Sequence, residues 1–107
     1  WQTGELVGRD YDLTDIFSAG AIISTVMDLA KWEAALRSDT LLKKESKMQM
    51  WMPVKLNDGS TYPYGLGWRI SEIRGHKLIA HSGQTAGFGA SLSRFVDDDL
   101  TVIVLTN

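Results

Sequence analysis

The chain has 107 residues, 44% hydrophobic and 22% charged, with a net charge of −2 and no cysteine. That length allows one domain or part of one, able to bury roughly 60–65% of the surface its unfolded form exposes. The slight acidity offers no basic face to nucleic acid, no apolar run approaches the roughly 20 residues of a bilayer span, and disulfides and thiolate metal sites are excluded. The compartment stays open on composition alone. The chain starts at Trp1 rather than Met and shows no signal peptide, which predicts a processed or excised chain.

Residues 1–19 are polar and aperiodic, with at most one turn around Leu13 to Phe17 expected. Thr25-Val26-Met27-Asp28 then fits a capping box, with Ser24 as a competing cap. Val26, Leu29, Trp32 and Leu36 follow at spacings of three and four, predicting a helix over 25–37. Ser38-Asp39-Thr40 ends it and is a candidate cap for the next helix. A second helix is expected over Lys43 to Trp51, with Met48, Trp51 and Met52 on its apolar side and Pro53 as its stop.

Asn57-Asp58-Gly59-Ser60 is a turn signal, and beyond it the pattern becomes that of strands. These are expected over Gly65 to Ile73, Lys77 to Ser82, Phe88 to Val96 and Leu100 to Thr106. Turns are expected at Arg74-Gly75 and Asp97-Asp98-Asp99, and a loop over Gly83 to Gly87. Short connections favour antiparallel pairing. The predicted class is α+β: two N-terminal helices packed on a three- to four-stranded antiparallel sheet. The last strand is apolar on both faces, so it expects cover on both sides. The helices cover one, and the other predicts either a missing part of a larger fold or self-association through an exposed sheet face.

Few residues offer chemistry. His76 reads as an exposed hairpin residue. His81 ends an apolar strand and is followed by Ser-Gly and a small-residue stretch; by itself it reads as a satisfied histidine at a strand end. The two histidines are an odd number of residues apart, on opposite faces of one strand, which argues against a shared metal. Ser82 lacks the glycines two before and two after that a nucleophile elbow requires, since Ala80 and Gln84 stand there. The Asp97 to Asp99 run lacks the spacing of a calcium loop and reads as a solvated hairpin. Gly65 and Gly67 lack a third glycine and a following helix start, so close packing or a bulge near Trp68 is expected rather than a phosphate loop.

Four segments, in order, resemble those of the β-lactamase, DD-peptidase and esterase superfamily of penicillin-recognising serine hydrolases. They are Ser18 to Trp32, Tyr64-Gly65-Leu66-Gly67-Trp68, His81-Ser82-Gly83-Gln84-Thr85-Ala86-Gly87-Phe88, and Leu100 to Asn107. The resemblance implies that residues 1–107 are a single partial domain, the C-terminal part of such a fold. It implies that His81, Ser82 and Gly83 lie on an edge strand lining the cleft and bind a small-molecule or peptide substrate. It implies that the main-chain N–H of Gln84 is an oxyanion-hole donor and that no cofactor is needed, and it favours the periplasm or cell envelope while leaving the compartment open. Histidine where many β-lactamases carry lysine leans toward the esterase, amidase or peptidase branches.

The family's Ser-x-x-Lys nucleophile is absent. Three residues before Lys31, Lys43, Lys44, Lys47, Lys55 and Lys77 stand Asp28, Thr40, Leu41, Lys44, Met52 and Arg74. Its Tyr-x-Asn or Ser-x-Asn element is absent too, because Asn57 and Asn107 follow Lys55 and Leu105 at that spacing. The final helix that follows the last strand in the family has no counterpart here. The chain is therefore expected to be inactive alone, as one wall of a parent enzyme's cleft. The alternative is a non-catalytic binding module on the same scaffold.

Overall fold

The computed structural model of the chain describes residues 14–107. A 3-10 turn at Thr14–Ile16 leads into a short helix α1 (Phe17–Gly20); Leu13, the start of the turn expected there, lies outside the described residues. Helix α2 (Val26–Arg37) begins where the capping box requires: Thr25 is the N-cap and its hydroxyl accepts from the Asp28 N–H at 3.1 Å. Ser24 makes no such bond. Helix α3 (Lys44–Met50) is shorter than the predicted 43–51, and neither Ser38 nor Thr40 caps it. Their hydroxyls bond to each other at 2.7 Å, and Lys43 is its N-cap without a side-chain bond. The loop is held from the other side, where the buried Lys47 ammonium donates to Leu36 O, Ser38 O and Asp39 Oδ1.

Six strands follow. A two-residue pair, β1 (Val54–Lys55) and β2 (Thr61–Tyr62), brackets the Asn57-Asp58-Gly59-Ser60 turn. The main sheet runs β3 (Arg69–Ile73), β4 (His76–Thr85), β5 (Phe88–Phe95) and β6 (Leu100–Thr106), each antiparallel to the next in chain order. The α+β class and the four-stranded antiparallel sheet are thus as the sequence predicts. Two strand limits differ by more than one residue. The expected loop at 83–87 is strand as far as Thr85, because Thr85 pairs with Phe88 and only Ala86-Gly87 turn, with Gly87 at φ 83°. The small residues read as a loop fit a ladder that needs no bulky side chains.

The expected strand at Gly65 is instead a tight reversal. Gly65 N–H donates to Trp68 O at 2.7 Å, and Tyr64 bridges to Arg69. Each glycine here has a reason. A Cβ on Gly65 would stand 2.2 Å from the Met50 carbonyl oxygen at the end of α3, a close approach only glycine permits. Gly67 turns with φ 79°. The close packing expected around Trp68 is therefore observed.

The register sorts side chains by face. One face carries Ile70, Ile79, Leu92, Arg94, Thr101 and Ile103, and the helices lie on it. Its core is Leu36, Trp68 and Ile79, the last fully buried, with Met50, Trp51 and Leu92 packed around them. Trp32 of α2 stacks on Trp68 with ring centroids 6.0 Å apart. Glu33 is also buried. It accepts from Arg94 Nε at 2.9 Å and from the Thr101 hydroxyl at 3.0 Å, while the Arg94 guanidinium lies 4.5 Å over the Trp51 ring. Arg37 Nε also approaches the same carboxylate at 3.4 Å, so removing Glu33 would leave the buried Arg94 without a counter-charge, whereas removing Arg94 would leave Glu33 paired with Arg37. The opposite face carries Leu100, Val102 and Val104, which are 52%, 43% and 47% exposed. No described residue covers them, so the two-sided apolar character of β6 meets helices on one side only.

Candidate functional site

β4 divides at residue 80. Its first half pairs with β3 from His76 to Ala80, where Ala80 meets Arg69. Among the described residues its second half, His81 to Thr85, pairs only with β5. The reversal at Gly65 to Trp68 is what ends β3 and frees this edge. β4 is therefore interior along 76–80 and an edge along 81–85 among the described residues, and His81, Ser82 and Gly83 lie on the edge stretch.

Which main-chain groups face the open side follows from the hairpins. In a two-residue hairpin the flanking residues form a hydrogen-bonded pair, so Thr85 bonds with Phe88 across Ala86-Gly87. At the far end Val96 N–H donates to Lys77 O at 3.1 Å. Residues 77, 79, 81, 83 and 85 therefore direct their N–H and C=O toward β5. Ser82 and Gln84 direct theirs away from it, to the side β3 has vacated. A row of unpaired strand groups is a template for an added strand.

The side chains split across the sheet. His81 and Gly83 share the helix-covered face, and α1 approaches it at Thr85, whose Cγ2 would lie 3.6 Å from a Cβ on Gly20. Ser82 and Gln84 share the open face, in a shallow depression completed by Gly89, Ser91 and Val104. A Cβ on Gly83 would meet nothing within 4 Å, so the strand can be approached closely there. Ser82 and His81 cannot form a nucleophile–base couple, because their side chains leave opposite faces.

His81 has a partner that the sequence reading missed. Tyr64 Oη lies 2.9 Å from His81 Nε2, with the two rings edge-on at 6.2 Å. Tyr64 is held in place through its backbone: Val54 N–H donates to its carbonyl at 2.9 Å and its own N–H donates to Tyr62 O. The available signal was the motif itself, since the same Gly-Leu-Gly reversal that buries Trp68 must carry Tyr64 back along the sheet. His76, read as an exposed hairpin residue, is exposed but bonds through Nδ1 to the Asp98 carboxylate at 2.8 Å. Asp99 pairs with Arg37, so the solvated Asp97 to Asp99 hairpin is tied to the helix and strand beside it. Among the described residues no three His, Cys, Asp or Glu side chains are grouped to hold a metal, and no helix is long and apolar enough to cross a membrane.

Comparison with known proteins gives the family. Penicillin-binding protein 4* of Bacillus subtilis (strain 168) is 35% identical over 97 residues, covering 89% of this chain and 21% of its own length. Unguisins hydrolase of Aspergillus campestris is 27% identical over 100 residues, covering 87% of this chain and 19% of its own length. The chain thus spans about a fifth of the curated relatives it matches. No solved structure matches it significantly. The profile of the Beta-lactamase family matches residues 1–107 from end to end, and the chain belongs to that family.

Proposed function

We propose that the chain forms one wall of the cleft of a serine hydrolase that works through an acyl-enzyme, with a β-lactam, ester or D-amino-acid peptide as substrate. The observation that carries this reading is the free half of β4: Ser82 and Gln84 turn unpaired main-chain groups to an open edge. A peptide-like substrate adds there as a strand, with His81, Ser82 and Gly83 along its length. When a serine oxygen attacks the substrate carbonyl, the C=O electron pair moves onto oxygen. The Gln84 N–H meets that negative charge. A fixed donor so placed lowers the barrier by about 3–4 kcal/mol.

The attacking serine and its lysine belong to sequence outside these 107 residues, which contain no Ser-x-x-Lys and no Tyr-x-Asn. Alone the chain binds without turning substrate over. Two measurements test this. A chromogenic β-lactam and a nitrophenyl ester should be left intact by the isolated chain and cleaved by the whole protein. A titration with a D-alanyl peptide should shift the amide resonances of Ser82 to Thr85. Serine-dependent turnover by the isolated chain would overturn the assignment of its role. Binding without turnover by the whole protein would favour a non-catalytic module instead.

A further inference from the structure

The free edge of β4 presents one ionisable side chain, His81, and that side chain is not left to itself. Its Nε2 lies 2.9 Å from the Tyr64 hydroxyl, and its Nδ1 has no partner among the described residues. The Tyr64 backbone is fixed by hydrogen bonds through its N–H and its carbonyl and by the Tyr64–Arg69 bridge, so the fold carries its side chain to the imidazole.

A phenol hydroxyl donates readily, and the bare nitrogen of a neutral imidazole accepts. With Tyr64 donating to Nε2, the single proton of neutral His81 must sit on Nδ1. When the imidazole is protonated, Nε2–H donates to the phenol oxygen and Nδ1 again carries a proton. Nδ1 is thus a donor in both charge states. A free imidazole in water favours the opposite tautomer, with the proton on Nε2 and Nδ1 as a bare acceptor. We propose that Tyr64 is a positioning residue: it fixes the tautomer of His81 so that Nδ1–H is always the atom offered to an oxygen of the substrate, a carbonyl or a carboxylate. This rests on the cleft assignment above. It makes His81 a hydrogen-bond donor whose usefulness does not depend on being charged, unlike a lysine in the same place.

The ring nitrogens report the tautomer directly. In protein labelled with 15N in the imidazole rings, at a pH where His81 is neutral, Nδ1 should show the shift of a protonated nitrogen and Nε2 that of a bare one. Tyr64→Phe keeps the ring but loses the hydroxyl, and should move the tautomer ratio about tenfold toward Nε2–H, the worth of one hydrogen bond. Adding a D-alanyl peptide should shift Nδ1 of the wild type and not that of the variant. A wild-type His81 protonated on Nε2 overturns the proposal and needs no variant; if the peptide still shifts the Ser82 to Thr85 amides, the cleft assignment survives that result. The expected tautomer with an Nδ1 indifferent to a peptide that does shift those amides also overturns it. A peptide that shifts neither removes the cleft on which the role of Tyr64 depends, and with it the proposal.

Discussion

The two halves of β4 share one strand and differ in almost everything else. Residues 76–80 have a neighbour on each side and supply the core: Ile79 is fully buried and Leu78 nearly so. Residues 81–85 have, among the described residues, a neighbour strand on one side and supply the residues of the candidate cleft, each exposed or half-buried. The core-forming stretch and the proposed binding stretch are thus laid end to end on one element, and the boundary is set by where the β3 pairing ends. The core-forming half holds the proposed binding half at a fixed register without any extra element.

The contrast can be broken by substitution. Ile79→Ala should have the largest effect, a loss of about 2–5 kcal/mol for removing a buried side chain between Leu36 and Trp68; denaturant unfolding measures it, and an effect no larger than that of a surface substitution would mean the first half is not the core. A pair of prolines sharpens the comparison. Gly83→Pro removes an N–H that faces β5 and strands its carbonyl partner, at a cost of about 1–3 kcal/mol. Gln84→Pro removes an N–H that faces the open side and should cost less than about 1 kcal/mol, while abolishing the oxyanion contribution proposed for the whole protein. Thermal melts of the two variants would show equal losses if the alternation along β4 were wrong.

The smallest effect lies away from β4, and it is a pH dependence. Asp28 is held below the usual 3.8 by the Lys31 ammonium and then by the Thr25 hydroxyl, and Asp58 by the hydroxyl and the N–H of Ser60. Both folded values are depressed, so their contribution is complete above the unfolded value and fades as pH falls through the folded one. Acid below about pH 4 should therefore loosen the start of α2 and the β1–β2 turn before β4 opens. Amide exchange followed against pH would detect this, and the reverse order of opening would contradict it.

Much of this was legible in the sequence. The capping box placed α2 to within a residue, because Thr25 and Asp28 carry the interaction themselves. The turns at Arg74-Gly75 and Asp97 to Asp99 placed the hairpins, since glycine and aspartate tolerate the positive φ found at Gly75 and Asp99. The buried Glu33–Arg94 pair was not legible. Its members are 61 positions apart, and on α2 alone Glu33 reads as a solvated residue. The strand at 83–85 was missed because glycine and threonine carry no apolar alternation, and only the partner strand reveals the pairing. Tyr64 was missed for a related reason: its meeting with His81 depends on a chain reversal that the glycines permit but do not spell out.

The alternation along residues 81–85 also constrains what length changes this strand can undergo. Two-fold periodicity gives each position a parity: even residues address the open side and odd ones address β5. A single residue inserted between Ala80 and His81 would exchange the two sets relative to the β3-paired half, carrying the Gln84 N–H into the ladder and turning the His81 side chain out of reach of Tyr64. Homologous chains should therefore vary in length here only by even numbers, or else compensate in the Ala86-Gly87 turn.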